Sequence, residues 1–360
     1  MKAASLVLCL SLAYNSYALA DESLTTQFKS AYQAYLTAQE SAENALPFAE
    51  QAYVLGKEVY GPQSNNTANL AVNYANELKN TTKELKAKRY QLFNSAYEIL
   101  LSNYNATSLE LVDSLSGMAN SAPSAHSAVD LYDQVIELAE KQNLPKLAAD
   151  LKISAAKDLA YNYRGSKYRT AQDYLEQADE YYTQNLPENS VERIKADFLV
   201  AAFAQGKRQY NKAIERLNRV VNVFDKELSF DHQAELSAHS KLVYLYEKEG
   251  RSDEATEHCI AIAKMVPWKE DQEQTPLYRE PPEYPMNKAK QRRDGYVQMR
   301  FDVSKAGFVE NIEVIKSKGG TAFEKEAVKA MEKWRYAPKF ENGQAVVASS
   351  KVQLDFKIGS

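Results

Sequence analysis

The chain has 360 residues, 44% of them apolar and 26% charged, with a formal net charge of -4; that length fits two hydrophobic cores better than one. Glycine (12) and proline (11) are scarce and tyrosine (24) is plentiful, which excludes collagenous and low-complexity compositions and favours long helices over a turn-rich all-β fold. The charge is unevenly spread, with 15 Lys and Arg against 9 Asp and Glu from Pro285 onward. The tail is therefore about +6 and the stretch from Asp21 to Tyr284 about -11, an acidic bulk that excludes a nucleic-acid partner, since phosphate binding needs a cationic face.

Residues 1–20 read as an export signal, in which Lys2 supplies the positive start, Ala3 to Tyr14 the apolar stretch and Ala18-Leu19-Ala20 the cleavage site. An apolar run of about twelve residues falls short of the ~20 that cross a bilayer. Cleavage leaves Asp21 first and puts the mature protein in the periplasm; retention would instead make it membrane-anchored. Leu8 stands where a lipoprotein signal before Cys9 needs a small residue. With Cys9 removed, Cys259 is the one cysteine left and is expected as a buried, inert thiol on the apolar side of a helix.

Residues 21–266 carry helical periodicity. Ala128, Tyr132 and Val135 mark one apolar stripe; Tyr168, Ala171, Leu175 and Ala178 mark another after Gly165; Tyr210, Ala213, Ile214 and Leu217 a third after Gly206. From Lys241 two helices flank a turn at Gly250, the second with Ala255, Cys259, Ile262 and Val266 on one stripe and Pro267 as its stop.

Tyr246, Gly250, Ala255 and Pro267 stand at the spacing of the tetratricopeptide (TPR) family, which this half resembles, although Val243 departs from the small residue usual at its position. Residues 42–78 resemble the longer repeat of kinesin light chains. The resemblance implies about five helical pairs stacked as a solenoid whose concave face binds another protein. Tyr161, Tyr163, Tyr181, Tyr182, Tyr244 and Tyr246 are candidates for that face, against the general rule that an aromatic at helical spacing is core first.

Residues 267–283 read as a linker, because five prolines fall within residues 267–285 and no helical period survives there. In residues 284–360 the period changes to two. Val297, Met299, Phe301 and Val303 alternate with Tyr296, Gln298, Arg300 and Asp302 as a half-buried strand, and Lys305-Ala306-Gly307 makes a turn. Val309, Ile312, Val314 and Ile315 predict a second strand with a bulge, stopped by Gly319-Gly320. Phe323, Ala327, Ala330, Met331 and Trp334 mark a helix face opened by Thr321 as cap; Asn342-Gly343 makes a turn; Val352, Leu354, Phe356 and Ile358 form a final strand. The expected fold class is mainly α, a TPR-like helical solenoid followed by a small α+β domain of order β-β-α-β.

The set formed by Tyr284-Pro285, Gly295, Phe301-Asp302-Val303, Gly307, Ser317, Phe323, Ala330, Trp334-Arg335-Tyr336, Pro338, Asn342-Gly343 and Phe356-Lys357-Ile358 resembles the carboxy-terminal domain of the TonB family. That resemblance implies a domain that grips a short extended segment of outer-membrane transporters and passes on force from the inner-membrane proton gradient. An open edge at the last strand accepts such a segment by main-chain hydrogen bonds. The residues it nominates for partner binding are Tyr284, Pro285, Arg335 and Tyr336, with Lys351, Gln353, Asp355 and Lys357 on the final strand; Trp334, Pro338, Gly295 and Gly307 are nominated as structural. Expected partners are a TonB-dependent transporter or other TonB-system proteins, with the anionic wall polymer peptidoglycan as an alternative anchor and a second copy as an alternative occupant of the edge. The function this implies is a periplasmic adaptor; the alternatives are an envelope assembly scaffold or, with the signal retained, a membrane-anchored transducer.

No catalytic motif, phosphate loop, cofactor motif or metal-ligand spacing occurs. His232 and His239, seven apart, share a helix face without further ligands, and Glu247 and Glu249 are expected on solvated faces. Neither a cofactor nor a metal is expected, and a hydrolase is the weakest reading.

Overall fold

A computed structural model describes residues 23–163, 166–227, 232–268 and 273–358. The export signal and Gly165 lie outside the described residues. The chain divides into two compact units, Met1–Leu186 and Pro187–Ser360.

The first unit is helical: α1 (23–40), α2 (Leu46–Tyr60), α3 (Asn65–Glu77), α4 (Lys83–Asn103), α5 (Val112–Asn120), α6 (Ala125–Lys141), α7 (Pro145–Tyr161) and α8 (Tyr168–Asn185). From α2 on, each helix packs on the next, and α3 also meets α5 as α5 meets α7, the nearest-neighbour pattern of stacked repeats. Small buried residues let the backbones approach, among them Ala68, Ala75, Ala96, Ala119, Ala128, Ala139 and Ala156. Ser64, Thr82 and Ser124 accept the Thr67, Leu85 and Ser127 amides and fix the starts of α3, α4 and α6.

The second unit opens with α9 (Val191–Gly206), α10 (Tyr210–Glu227), α11 (Gln233–Lys248) and α12 (Ser252–Met265). Gly250, at φ +70°, makes the turn between the last two, and the Arg251 amide bonds the Tyr246 carbonyl at 2.9 Å. The sequence suggests about five helical pairs; among the described residues twelve helices, α1 to α12, fall within residues 21–266, enough for six. The unassigned ones are α1 and α4, and α4 opens with KELKAKRY, where charged residues dilute the apolar period.

The same unit ends in a short helix α13 (Met286–Lys290), strands β1 (Gly295–Val303) and β2 (Val309–Lys318), helix α14 (Thr321–Met331), and strands β3 (Lys339–Glu341), β4 (Gln344–Val346) and β5 (Ala348–Phe356). The three long strands form an antiparallel sheet of order β2-β1-β5. The expected alternation holds, with Val297, Met299, Phe301 and Val303 buried together with Val352, Leu354 and Phe356 against Phe323, Ala327 and Met331 of α14. Three details differ from expectation. Gly320, at φ +94°, precedes the helix and Thr321 is its first residue, so no side chain caps it. Asn342-Gly343 closes a separate hairpin, β3 on β4, too short to show an alternating pattern in the sequence. Ile358 lies beyond β5 and is exposed.

Within residues 267–283, expected as a linker, Leu277 to Glu280 pack between α11–α12 and residues 334–337. The Leu277 amide bonds the Arg335 carbonyl at 2.7 Å, and the Arg335 amide bonds the Tyr278 carbonyl at 3.1 Å. Tyr278 is buried in one cluster with Val243, Cys259 and Ile262, and Leu277 and Ala337 pack onto it.

Candidate functional site

The sheet has two borders of different quality. Strand β2 is interrupted by register shifts opposite Gln298/Met299 and Arg300/Asp302, and its Asn311 sits at φ +51°. Such bulges twist a border and discourage further pairing. Strand β5 pairs with β1 residue for residue from Ala348 to Phe356 without a shift, and among the described residues no strand covers its other side. A regular, uncovered border offers backbone donors and acceptors at strand spacing.

The solvent face of this sheet is organised in cross-strand rows. Glu313, Arg300 and Lys351 form one, with Arg300 Nη1 3.3 Å from Glu313 Oε2. Lys316, Gln298 and Gln353 form the next, joined by a bond from Gln298 Nε2 to Gln353 Oε1 at 2.8 Å. In the row of Lys318, Tyr296 and Asp355, the carboxylate accepts Gln353 Nε2 at 2.8 Å. Lys351, Gln353 and Asp355 are all exposed on β5, as is Lys357 just beyond it. The structure thus gathers four of the nominated residues on one border.

The other four lie elsewhere. Tyr284 is half-buried, donates its hydroxyl to the Arg293 carbonyl at 2.6 Å, and stands edge-on to Phe323 and Phe356 at 5.5 and 5.9 Å. Pro285 caps α13. Arg335 and Tyr336, nominated for partner contact, are each 1% exposed, so neither presents a surface. The Arg335 guanidinium reaches into α11–α12: Nη1 bonds Glu247 and the Ser252 carbonyl, and Nη2 bonds Thr256 Oγ1 at 2.6 Å and the Ala306 carbonyl at 2.9 Å. It also lies 3.7 Å from the centre of the Phe308 ring. Glu247 is therefore not on a solvated face as expected; its side chain is 11% exposed and ion-paired. In sequence a charge destined for burial looks like any other on a helix.

Of the structural nominations, Trp334, Pro338 and Gly307 are buried and Gly295 is half-buried. Trp334 is buried and donates Nε1 to the Glu280 carbonyl at 2.8 Å, and Pro338 is buried. A side chain at Gly295 would come within 2.2 Å of the Lys318 carbonyl, and one at Gly307 within 2.2 Å of that of Tyr336. Burial pushes the Cys259 thiol up to about 12, which leaves it unreactive.

The histidines pair differently from their spacing. His232 precedes α11 and accepts the Ala234 amide at 3.0 Å, whereas His239 meets His258 of α12, Nδ1 to Nδ1, at 2.8 Å. Burial holds both below the usual imidazole range, His258 at about 4. Among the described residues no group of three or more His, Cys, Asp or Glu could hold a metal ion, and no helix is long and apolar enough to cross a membrane.

The first unit contains a cavity of about 730 Å³ that the sequence did not signal. Arg89, Asn120 and Asp158 form its polar wall and Leu147, Leu151 and Tyr161 an apolar one. Asp158, raised by burial, accepts from Asn120, Asn162 and Tyr132, while Arg89 donates to the Ala75 and Leu78 carbonyls at 2.9 and 2.6 Å and leaves its buried Nε unpartnered. Of the tyrosines nominated for a binding face, Tyr161 is 61% exposed at this cavity, while Tyr182 and Tyr246 are buried. Tyr163, Tyr181 and Tyr244 are half-buried.

Residues 280–358 match the family model described as the Gram-negative bacterial TonB protein C-terminal. Protein TonB of Salmonella typhimurium is 42% identical over 60 residues, 17% of this chain and 25% of that protein. Protein TonB of Pseudomonas aeruginosa is 31% identical over 88 residues, 24% and 26% of the two chains. The chain spans about a quarter of the length of these curated relatives. Among solved structures, the Pseudomonas aeruginosa TonB CTD matches at 30% identity with a TM-score of 0.23, covering 25% of this chain and 92% of that one. A Podosopora anserina putative kinesin light chain with nearly identical TPR-like repeats matches at 19% identity with a TM-score of 0.45, covering 55% and 92%.

Proposed function

We propose that this protein is a non-catalytic periplasmic adaptor of TonB-dependent outer-membrane transport, which receives an extended segment of a partner along β5 and holds a second protein on its helical repeats. The observation that carries the reading is the regular, uncovered border of β5, which lies within the segment matching the TonB C-terminal model. Pairing there adds a strand to an existing sheet, so main-chain bonds supply affinity and the side chains of Lys351, Gln353, Asp355 and Lys357 set the register. Arg335 and Tyr336 act behind that border by holding the domain together rather than by touching the partner.

The cavity walled by Arg89, Asn120, Asp158 and Tyr161 supports the second half of the proposal, since it offers both a polar and an apolar side to a polypeptide. The test is photo-crosslinking in cells from position 353 of the full chain, followed by identification of what is captured. Capture of an outer-membrane transporter, competed by an extended peptide from that transporter's periplasmic face, is the expected result. A folded, exported chain that captures no transporter refutes the proposal.

A further inference from the structure

Helix α3 holds five asparagines in its 13 residues, NNTANLAVNYANE. Asparagine is a weak helix former, because its amide competes with the backbone for hydrogen bonds. Asn65 offsets this inside the chain, donating to the Tyr104 hydroxyl at 2.9 Å and accepting from Asn103 at 2.7 Å. The side chains of Asn66, Asn69 and Asn73, on one helix face at i, i+3 and i+7, make no hydrogen bond among the described residues. They line an open cleft of about 280 Å³ with Phe28 and Tyr32 of α1 and Tyr60, the last residue of α2. Phe28 is buried in one cluster with Ala31, Ala52 and Leu70; Tyr32 stacks beside it at 5.9 Å, and Tyr60, 42% exposed, stands edge-on to it at 5.2 Å. Thr67 and Ser64 donate their hydroxyls to the Gly61 carbonyl at 2.7 and 3.1 Å, which fixes the turn that follows Tyr60. Among the described residues no charged side chain lines the cleft.

These features define the chemistry of an occupant. A neutral lining offers no counter-charge to an ion that leaves water, so the occupant is uncharged. Each free amide supplies two donors and an acceptor, which suits a molecule dense in hydroxyls, while the rings need an apolar face to cover. The volume lies just under the ~300–1,000 Å³ of sites that enclose a whole small molecule, so the cleft takes one or two units of a longer chain. An extended peptide repeats the groups on one edge every ~6.6–6.8 Å, whereas the asparagines step by about 4.5 and 6 Å along α3, a mismatch that closely spaced hydroxyls do not meet. We propose that the cleft between α1, α2 and α3 binds a neutral pyranose oligosaccharide, with the C–H face of one ring on Tyr60 and its hydroxyls bonded by Asn66, Asn69 and Asn73.

The residues involved belong to α1, α2 and α3 and not to β5, so the proposal adds a ligand class to this chain and stands or falls independently of transporter capture. The experiment is saturation-transfer difference NMR of the full chain with maltotriose, cellotriose and triacetylchitotriose in turn, followed by titration of whichever responds. Transfer to the ring protons of at least one trisaccharide is expected. Tyr60→Ala is expected to weaken binding about tenfold and Tyr60→Phe, which keeps the ring, to retain it. Asn69→Ala is expected to weaken binding about three- to tenfold and, because alanine is the better helix former, to raise the thermal midpoint. That opposition separates an asparagine kept for a ligand from one kept for the fold, and circular dichroism confirms that each variant is folded. Absence of transfer from all three sugars to the folded chain, transfer indifferent to Tyr60→Ala and Asn69→Ala, or an Asn69→Ala chain that melts earlier overturns the proposal. Transfer from a neutral extended peptide in place of the sugars overturns it as well.

Discussion

Arg335 shows what one residue does when its partner lies 88 positions away in the chain. Beside Trp334 and Tyr336 it reads as part of a surface motif, yet its guanidinium is enclosed by Glu247, Thr256 and two carbonyls. Removing one member of a buried pair strands the other charge, which costs about 3–5 kcal/mol. Arg335→Ala is thus expected to lower the stability of the second unit by that amount in urea denaturation, and Arg335→Lys to recover a part only, since an ammonium cannot reproduce the fork of donors. The histidine pair sets a pH dependence. His258 sits at about 4 when folded against the usual 6.5, and His239 is also lowered; Glu235 and Asp225 are the nearby acids and Tyr246 stacks on the His258 ring. Below pH 6.5 the unfolded chain takes up protons that the folded one refuses, so stability falls as pH drops from about 6.5 to about 4 and levels off below. Denaturation midpoints at pH 7, 5.5 and 4.5 should show that decline, and His258→Gln should flatten it.

At the scale of elements, local chemistry carried most of the reading. The alternation of β1, the double glycine ending β2 and the stripe of α14 all lie where their spacing put them. Two glycines separate two physical reasons for being glycine. Gly343 is at φ +77° with open space around it, whereas Gly295 is hemmed in by the Lys318 carbonyl and the Phe323 ring. Gly343→Ala is expected to cost about 1 kcal/mol for its backbone conformation alone. Gly295→Ala must push strand and ring apart and is expected to cost about 1–3 kcal/mol; thermal denaturation of the two variants should rank them in that order. The helices missed, α1 and α4, and the β3–β4 hairpin are elements whose apolar pattern is diluted or too short to register.

At the scale of the molecule, α11–α12 and residues 277–278 share one packed interior through Val243, Cys259, Tyr278 and Ala337, the sheet packs a separate one with α14, and buried Arg335 ties the two by its bonds to Glu247, Thr256 and the Ala306 carbonyl. Elements tied by a buried charged link open together. Amides of α12 and of β1 are therefore expected to exchange hydrogen with the same opening free energy in the full chain, and Arg335→Ala to split them, with β1 opening first and residues 273–283 becoming sensitive to protease. Unequal protection of α12 and β1 in the unaltered protein would show that the sheet folds apart from the helices.

The sequence by itself determined the helical half, the strand-strand-helix-strand order of the tail, the alternation that turns Lys351, Gln353 and Asp355 outward, and the turns at Gly250, Gly307 and Asn342-Gly343. Each of these depends on neighbours within a few positions, where a period or a backbone preference leaves a readable trace. Only the tertiary structure decided that β5 pairs with β1 without a register shift, that Glu247 and Arg335 are buried together, and that His239 meets His258 rather than sharing a face with His232. Those outcomes join residues distant in the chain, and a side chain's type does not say which distant group will neutralise or desolvate it until the backbone has brought the two together.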